Sequence, residues 1–279
     1  MDYHILNLGA GVQSTALYLL DLDGELLEET GIKFTHAIFA DTQDEPDSVY
    51  EHLAWLENQG GVEILKATAG CIGDDLLKGE NTTGQRFATI PAFTPNPAGG
   101  RGQTRRQCTS EYKIDVVEKT IRRKILNLAP RKHIPKDAVF TQYMGFSFDE
   151  AGRAARAKGR FQQRGWRVGF PLFDMQWKRY DCIQYLEGRV KHEVPRSACV
   201  FCPYKSDREW LRLKENDPKG WARAVQIDEG MRKDGAVVNR GLDSKLYLHR
   251  SCKPLAEADL GKDQGLLDFM AECEGGCGL

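Results

Sequence analysis

The sequence predicts an α/β protein, a mostly parallel sheet with helices on both faces and a mainly helical extension at its C-terminal end. Two observations carry this. Short apolar runs alternate with helix-forming stretches over the first half of the chain, the pattern of βαβ units. The first junction between them, LNLGAGVQS, is a glycine-rich turn ahead of a helix.

The elements follow in order. Residues 3–8 are a short apolar run ended by glycine, hence a buried strand. Residues 14–22 continue as a helix. Residues 34–40, FTHAIFA, form the second strand. Pro46 suits the first turn of a helix over 46–58, which Gly60 and Gly61 stop. Residues 62–67 are the third strand. Residues 81–107 are rich in Gly, Pro and Thr and read as a long loop, of the kind that covers a functional site. A helix follows over 109–126, then a strand over 138–145. A further helix starts near Tyr180 or Asp181. Ser206 and Glu209 form a capping box, and Asp217 with Pro218 caps the next helix. Residues 1–215 read as one domain, with 216–279 as a helical appendage ending in a cysteine-bearing tail.

Composition excludes some classes. A 41% hydrophobic and 28% charged chain is that of an ordinary globular protein, not a disordered or membrane-embedded one. No stretch is apolar enough to span a bilayer, and MDYHILNLGAG lacks the pattern of a signal peptide, so a cytoplasmic protein with no membrane partner is expected. The net charge of −1 hides local runs. Residues 151–167 hold six basic residues and no acidic one, and RGQTRRQ at 101–107 is a second cluster. With Phe161 and Trp166 interleaved, they point to a polyanion such as nucleic acid. Eight cysteines in such a chain point to metal binding or thiol chemistry, not to a disulfide framework.

Gly9, Ala10 and Gly11 let backbone amides approach an anion at a helix N-terminus, and Ser14 adds a hydroxyl. A plain tight turn would also satisfy this spacing. The loop has no Gly-Lys-Ser/Thr, so it is not a Walker loop, and Ser14 stands where a dinucleotide fingerprint needs glycine. Asp41 and Thr42 end the second strand, where α/β folds build their sites. Cys199 and Cys202 form a CxxC, a spacing that lets two thiolates share a metal or cluster and equally suits a redox pair. Cys108 begins a helix beside Arg105 and Arg106, which favours a thiolate. Cys182 is either a fourth ligand or a small buried hydrophobe.

GAGVQS resembles the SGGxDS loop of the PP-loop ATP pyrophosphatases, with Gly9, Ala10 and Gln13 departing from the pattern. FADTQDEP, QCTSEYKI, GFSFDEAGR, PLFDMQWKRYDCIQYLE and the CxxC run in the order seen in phosphoadenosine phosphosulfate (PAPS) reductases and their relatives. The resemblance implies a Rossmann-like fold of the HUP, adenine nucleotide alpha hydrolase-like type. It implies ATP with Mg2+ held by Gly9, Ala10, Gly11, Gln13, Ser14, Asp41, Thr42, Arg105, Arg106, Lys113 and Arg153. It also implies a [4Fe-4S] cluster, with Zn as the rival, on Cys108, Cys199, Cys202 and Cys182. Where the iron–sulfur reductases have paired cysteines, this chain has Gln107 and Cys108, so the resemblance implies either that Cys182 substitutes or that three cysteines leave one iron open, as in some tRNA-thiolating relatives.

The tail AECEGGCGL is similar to the C-terminal Glu-Cys-Gly-Leu of the reductases, without their histidine. Cys273 and Cys277 are thus candidates, with Ser14, for catalytic roles. The activity expected from the resemblance is ATP-dependent sulfur transfer, as in DNA phosphorothioation or tRNA thiolation, with a donor such as a cysteine desulfurase. The alternatives are a PAPS or adenylylsulfate reductase releasing sulfite, and a non-catalytic nucleotide-binding regulator with structural Zn.

Overall fold

The central strand, β1 (Asp2–Asn7), hydrogen-bonds in parallel to β2 (His36–Asp41) on one side and β6 (Val139–Tyr143) on the other. With β3 (Ile64–Thr68) outside β2 and β7 (Arg167–Gly169) outside β6, the sheet order is β3-β2-β1-β6-β7, all parallel. The computed structural model describes residues 2–79, 90–96, 99–163, 166–236, 238 and 244–261. Among these, no helix is long and apolar enough to cross a membrane.

The two sheet faces are filled by alternate residues of the same strands. Leu6, Ala37 and Phe39 face α1 (Val12–Asp23), α2 (Glu25–Thr30), α3 (Asp47–Glu57), α7 (Pro171–Asp174) and α8 (Arg179–Leu186). Ile5, Ile38 and Phe140 face a long helix and α6 (Ala151–Gln163). That long helix is π-helical over Ser110–Ile114, α-helical over Asp115–Thr120 (α5), and π-helical again over Ile121–Ile125. The wider first turn lets its side chains serve two cores. Tyr112 enters the C-terminal core, and Ile114 and Val117 enter the sheet core.

The C-terminal core joins α4 (Ile72–Lys78), α9 (Asp207–Asn216) and α10 (Pro218–Arg232) through Ile72, Leu76, Trp210, Leu213, Ala224 and Ile227. Residues beyond 215 thus share one core with residues from 72 onward. Buried Asp228 anchors residues 248–255 to this core, accepting from Leu248 N at 2.8 Å and Leu255 N at 2.7 Å while pairing with Arg232.

Part of the stretch read as loop is ordered otherwise. β4 (Phe93–Pro95) and β5 (Arg101–Gln103) form an antiparallel hairpin, and Phe93 bridges to Tyr247. Thr104 helps hold it, its hydroxyl donating to the Ile90 carbonyl at 2.6 Å. Glycine and proline content concealed these three-residue strands. The rest of that stretch, 81–89 with 97 and 98, lies outside the described residues, as do Cys273 and Cys277.

Candidate functional site

The connections run from β1 outward through β2 and β3, and then return to the other side of β1 through β6 and β7. The carboxyl ends of β1 and β6 therefore flank a topological switch point, where open α/β sheets bind ligands. The turn after β1 and the turn after β6 meet there.

After β1, Ala10 takes φ 57°, a left-handed conformation that glycine adopts without cost. Gly11 then caps α1 with extended backbone. The first amides of α1 have no carbonyl partner within the helix, and its first turn carries no acidic residue. Ser14 is engaged in shaping this turn. Its Oγ accepts from Gly11 N at 3.2 Å and donates to Gly11 O at 3.1 Å. The sequence suggested a hydroxyl aimed at phosphate; in this state it closes the cap.

The turn after β6 lies directly on this loop. A Cβ on Gly145 would stand 2.9 Å from Ser14 N and 3.0 Å from the Gln13 carbonyl carbon, so only glycine fits. Glu150 ties the two turns together. Its Oε2 accepts from Ser147 N and Ser147 Oγ, and from Gln13 Nε2 at 3.2 Å. Gln13 Oε1 in turn accepts from Arg179 Nη1 at 3.0 Å. Arg153, expected to hold phosphate or sulfate, pairs instead with Glu150 and stacks over Phe146. It orders the turn from behind.

The third component comes from the loop before α9. Ser197 is 7% exposed and its Oγ has no hydrogen-bond partner among the described residues. It faces the glycine loop: a Cβ on Gly9 would lie 3.6 Å from Ser197 Oγ, and one on Gly11 would lie 3.8 Å from Ser197 N. A buried hydroxyl left without a partner costs about 1–3 kcal/mol. It lies beside the N-terminal turn of α1.

Two residues on, the same loop carries Cys199. Its Sγ lies 3.2 Å from Thr42 Oγ1, which also donates to Glu45 Oε1 at 3.1 Å. Lys113 reaches the same carboxylate, with Nζ 3.5 Å from Glu45 Oε1. Burial pushes the Cys199 thiol well above its ordinary value; the Glu45 charge adds to this, Lys113 opposes it, and nearby Cys108 raises it further. As placed, Cys199 is a neutral thiol at pH 7. Cys202 sits on the same turn, its N–H donating to Cys199 O at 2.9 Å. Arg106 stacks over Tyr204 just beyond, and Arg105 is exposed.

Asp41 ends β2 with Oδ1 accepting from Tyr50 OH at 2.9 Å and from Gln43 N at 2.8 Å. Gln43 has φ 61°. It occupies the position where the resembled family has glycine, and its backbone takes a glycine conformation.

Cys182 does not join the other thiols. It is fully buried on α8 against α1 in one core cluster, whereas Cys108 and Cys199 pack against another. Burial pushes its thiol to about 12. It is a small hydrophobe of the core. Among the described residues, no group of three or more His, Cys, Asp or Glu is placed to hold a metal ion. Cys182 is therefore not gathered with Cys108 and Cys199 into one four-cysteine set.

Sequence reading missed Gly145, Glu150, Arg179 and Ser197 as members of one site. GFSFDEAGR was visible as a motif, but its contact with the first turn of α1 is set by sheet order. Ser197 had a local signal, lying in SACVFC, yet nothing in the chain announces that this loop crosses the β1 turn. No protein-family model matches the chain, and no curated protein matches it.

Proposed function

We propose that this protein cleaves ATP between the α- and β-phosphates and uses the adenylate to transfer sulfur to a nucleic-acid acceptor. The observation that carries the reading is the unpartnered, buried Ser197 hydroxyl above the Gly9–Gly11 turn. It supports a phosphate chain between that turn and the loop of Cys199 and Cys202. A loop without lysine suits a departing pyrophosphate better than a γ-phosphate in transfer, where a Walker lysine is the usual grip.

In the adenylation step an acceptor oxygen attacks the α-phosphorus. The α–β bridging bond breaks and pyrophosphate leaves with the electron pair. The amides of the α1 N-terminus and the Ser197 hydroxyl donate to the leaving group as its charge grows. Mg2+ with the ATP supplies further charge neutralisation when bound. In the second step, sulfur delivered by a donor displaces AMP from the acceptor. Cys199 lies two residues from Ser197 on the same loop, with Lys113 as the cation that favours its thiolate. No step is assigned to an iron–sulfur cluster or Zn.

The test is ATP cleavage by wild type and Ser197→Ala with acceptor RNA or DNA supplied. AMP and pyrophosphate are expected, with the variant raising KM for ATP roughly three- to tenfold through one lost hydrogen bond. Thiol-dependent sulfite release from a sulfonucleotide would favour the reductase reading instead.

A further inference from the structure

An open cavity of about 430 Å³ lies at the outer edge of the sheet, between β3 and the helix over residues 110–125. Its walls include Lys119, Arg123 and Lys124, with Thr68, Asp41 and Lys66, the last ion-paired to Glu57 at 2.9 Å. Asp41 is its link to the candidate nucleotide site, being adjacent to Thr42. Arg123 and Lys124 donate to the carbonyls of Leu128 and Lys66, contacts that hold the side chains without neutralising them. Asp41 is the cavity's one carboxylate among these residues, and Tyr50 and Gln43 already occupy one of its oxygens.

The cavity sits in a larger charge pattern. Residues 119–136 carry seven Lys or Arg and no carboxylate, and residues 151–167 carry six and none. Both segments belong to the same face of the sheet, through Ile121, Ile134, Ala154, Ala157 and Phe161. On the opposite face, α1, α2 and α3 together carry eight Asp or Glu and no Lys or Arg. Such a separation orients a polyanion and repels it from the wrong side.

We infer that this cavity and the basic helix beside it bind the phosphodiester backbone of the nucleic-acid acceptor. The occupant is an extended chain of regularly spaced phosphates, because cations outside the cavity lining continue the run, Arg122 on the helix and Arg131, Lys132 and Lys136 after it. A single phosphate would use only the cavity. The inference rests on the sulfur-transfer reading for the purpose of the acceptor; its location rests on the geometry.

The test is fluorescence anisotropy of labelled tRNA and duplex DNA over a salt series, using the full chain. Lys119→Glu, Arg123→Glu and Lys124→Glu are combined in one variant. Lys219→Glu, Lys233→Glu and Lys245→Glu, all at exposed positions, form the charge-matched control. The first variant should bind at least tenfold more weakly, with a salt slope flatter by about 2–3, while the control changes little beyond the general charge effect. Should the triple variant fail to fold, Lys119→Ala and Arg123→Ala should each flatten the slope by about 0.7–0.9. Equal losses in variant and control, an unchanged variant, or competition by polyglutamate as strong as by nucleic acid would each overturn the inference. If wild type binds nucleic acid through these residues but never releases pyrophosphate, the sulfur-transfer reading fails and this surface stands. If it releases pyrophosphate but ignores these charges, the reverse holds.

Discussion

Ser197 and Gly145 make opposite demands on the same loop, and substitutions separate them. Ser197→Ala removes a polar atom that has no partner within the protein, so thermal stability should stay level or rise slightly while ATP binding weakens. A melt combined with a KM measurement reads both. Gly145→Ala forces a Cβ against the backbone of Gln13 and Ser14, atoms that cannot swing aside. It should abolish nucleotide binding and cost about 1–3 kcal/mol, read by isothermal titration and denaturant unfolding. Cys182→Ala should cost about 1–2 kcal/mol as a core truncation and leave nucleotide binding intact. A change in metal content on that substitution would contradict its placement in the core. The left-handed Ala10 and Gln43 are the residue-scale features that sequence hinted at most clearly, since both stand where glycine is usual.

At the scale of elements, buried polar groups hold the helices in register. Thr15 Oγ1, His52 Nε2, His52 Nδ1 and His192 Nε2 form a chain of contacts at 2.8 and 2.7 Å, joining α1, α3 and the segment before Ser197. Burial, then the neighbouring His192, pushes His52 down to about 4. The unfolded imidazole titrates near 6.5 and takes up a proton that the folded one refuses. Stability is therefore complete above about pH 6.5 and falls as pH drops toward 4, by about 3 kcal/mol at most. His52→Gln should flatten unfolding free energy against pH across that window. Asp228→Ala should cost about 3 kcal/mol, because it strands Arg232 and two buried amides. The strands and helices of the first half were legible because their apolar runs are bounded by Gly, Pro and Asp. α6 was not, since its buried positions Ala154, Ala157 and Phe161 are spaced among arginines and look like a charged run. β7 and the hairpin strands are three residues each, too short to show a period. Sheet order, which brings the β6 turn onto the β1 turn, is a tertiary outcome that no local pattern encodes.

For the whole molecule, two surfaces meet at the carboxyl ends of the strands. The glycine loop and the CxxC loop close over the switch point, and the basic face approaches it from the β3 edge past Asp41. In the function proposed, the first of these is a site for α–β cleavage and the second the place where the acceptor lies. This division sets the measurement that decides most directly between this account and a conventional phosphoryl-transfer or binding role. ATP labelled at the α-phosphate is incubated with the protein, Mg2+, a sulfur donor and nucleic acid, and the products are separated. The account predicts labelled AMP with equimolar pyrophosphate, lost in Gly145→Ala and reduced in Ser197→Ala at limiting ATP. Labelled ADP with inorganic phosphate, or unchanged ATP under all these conditions, would contradict it.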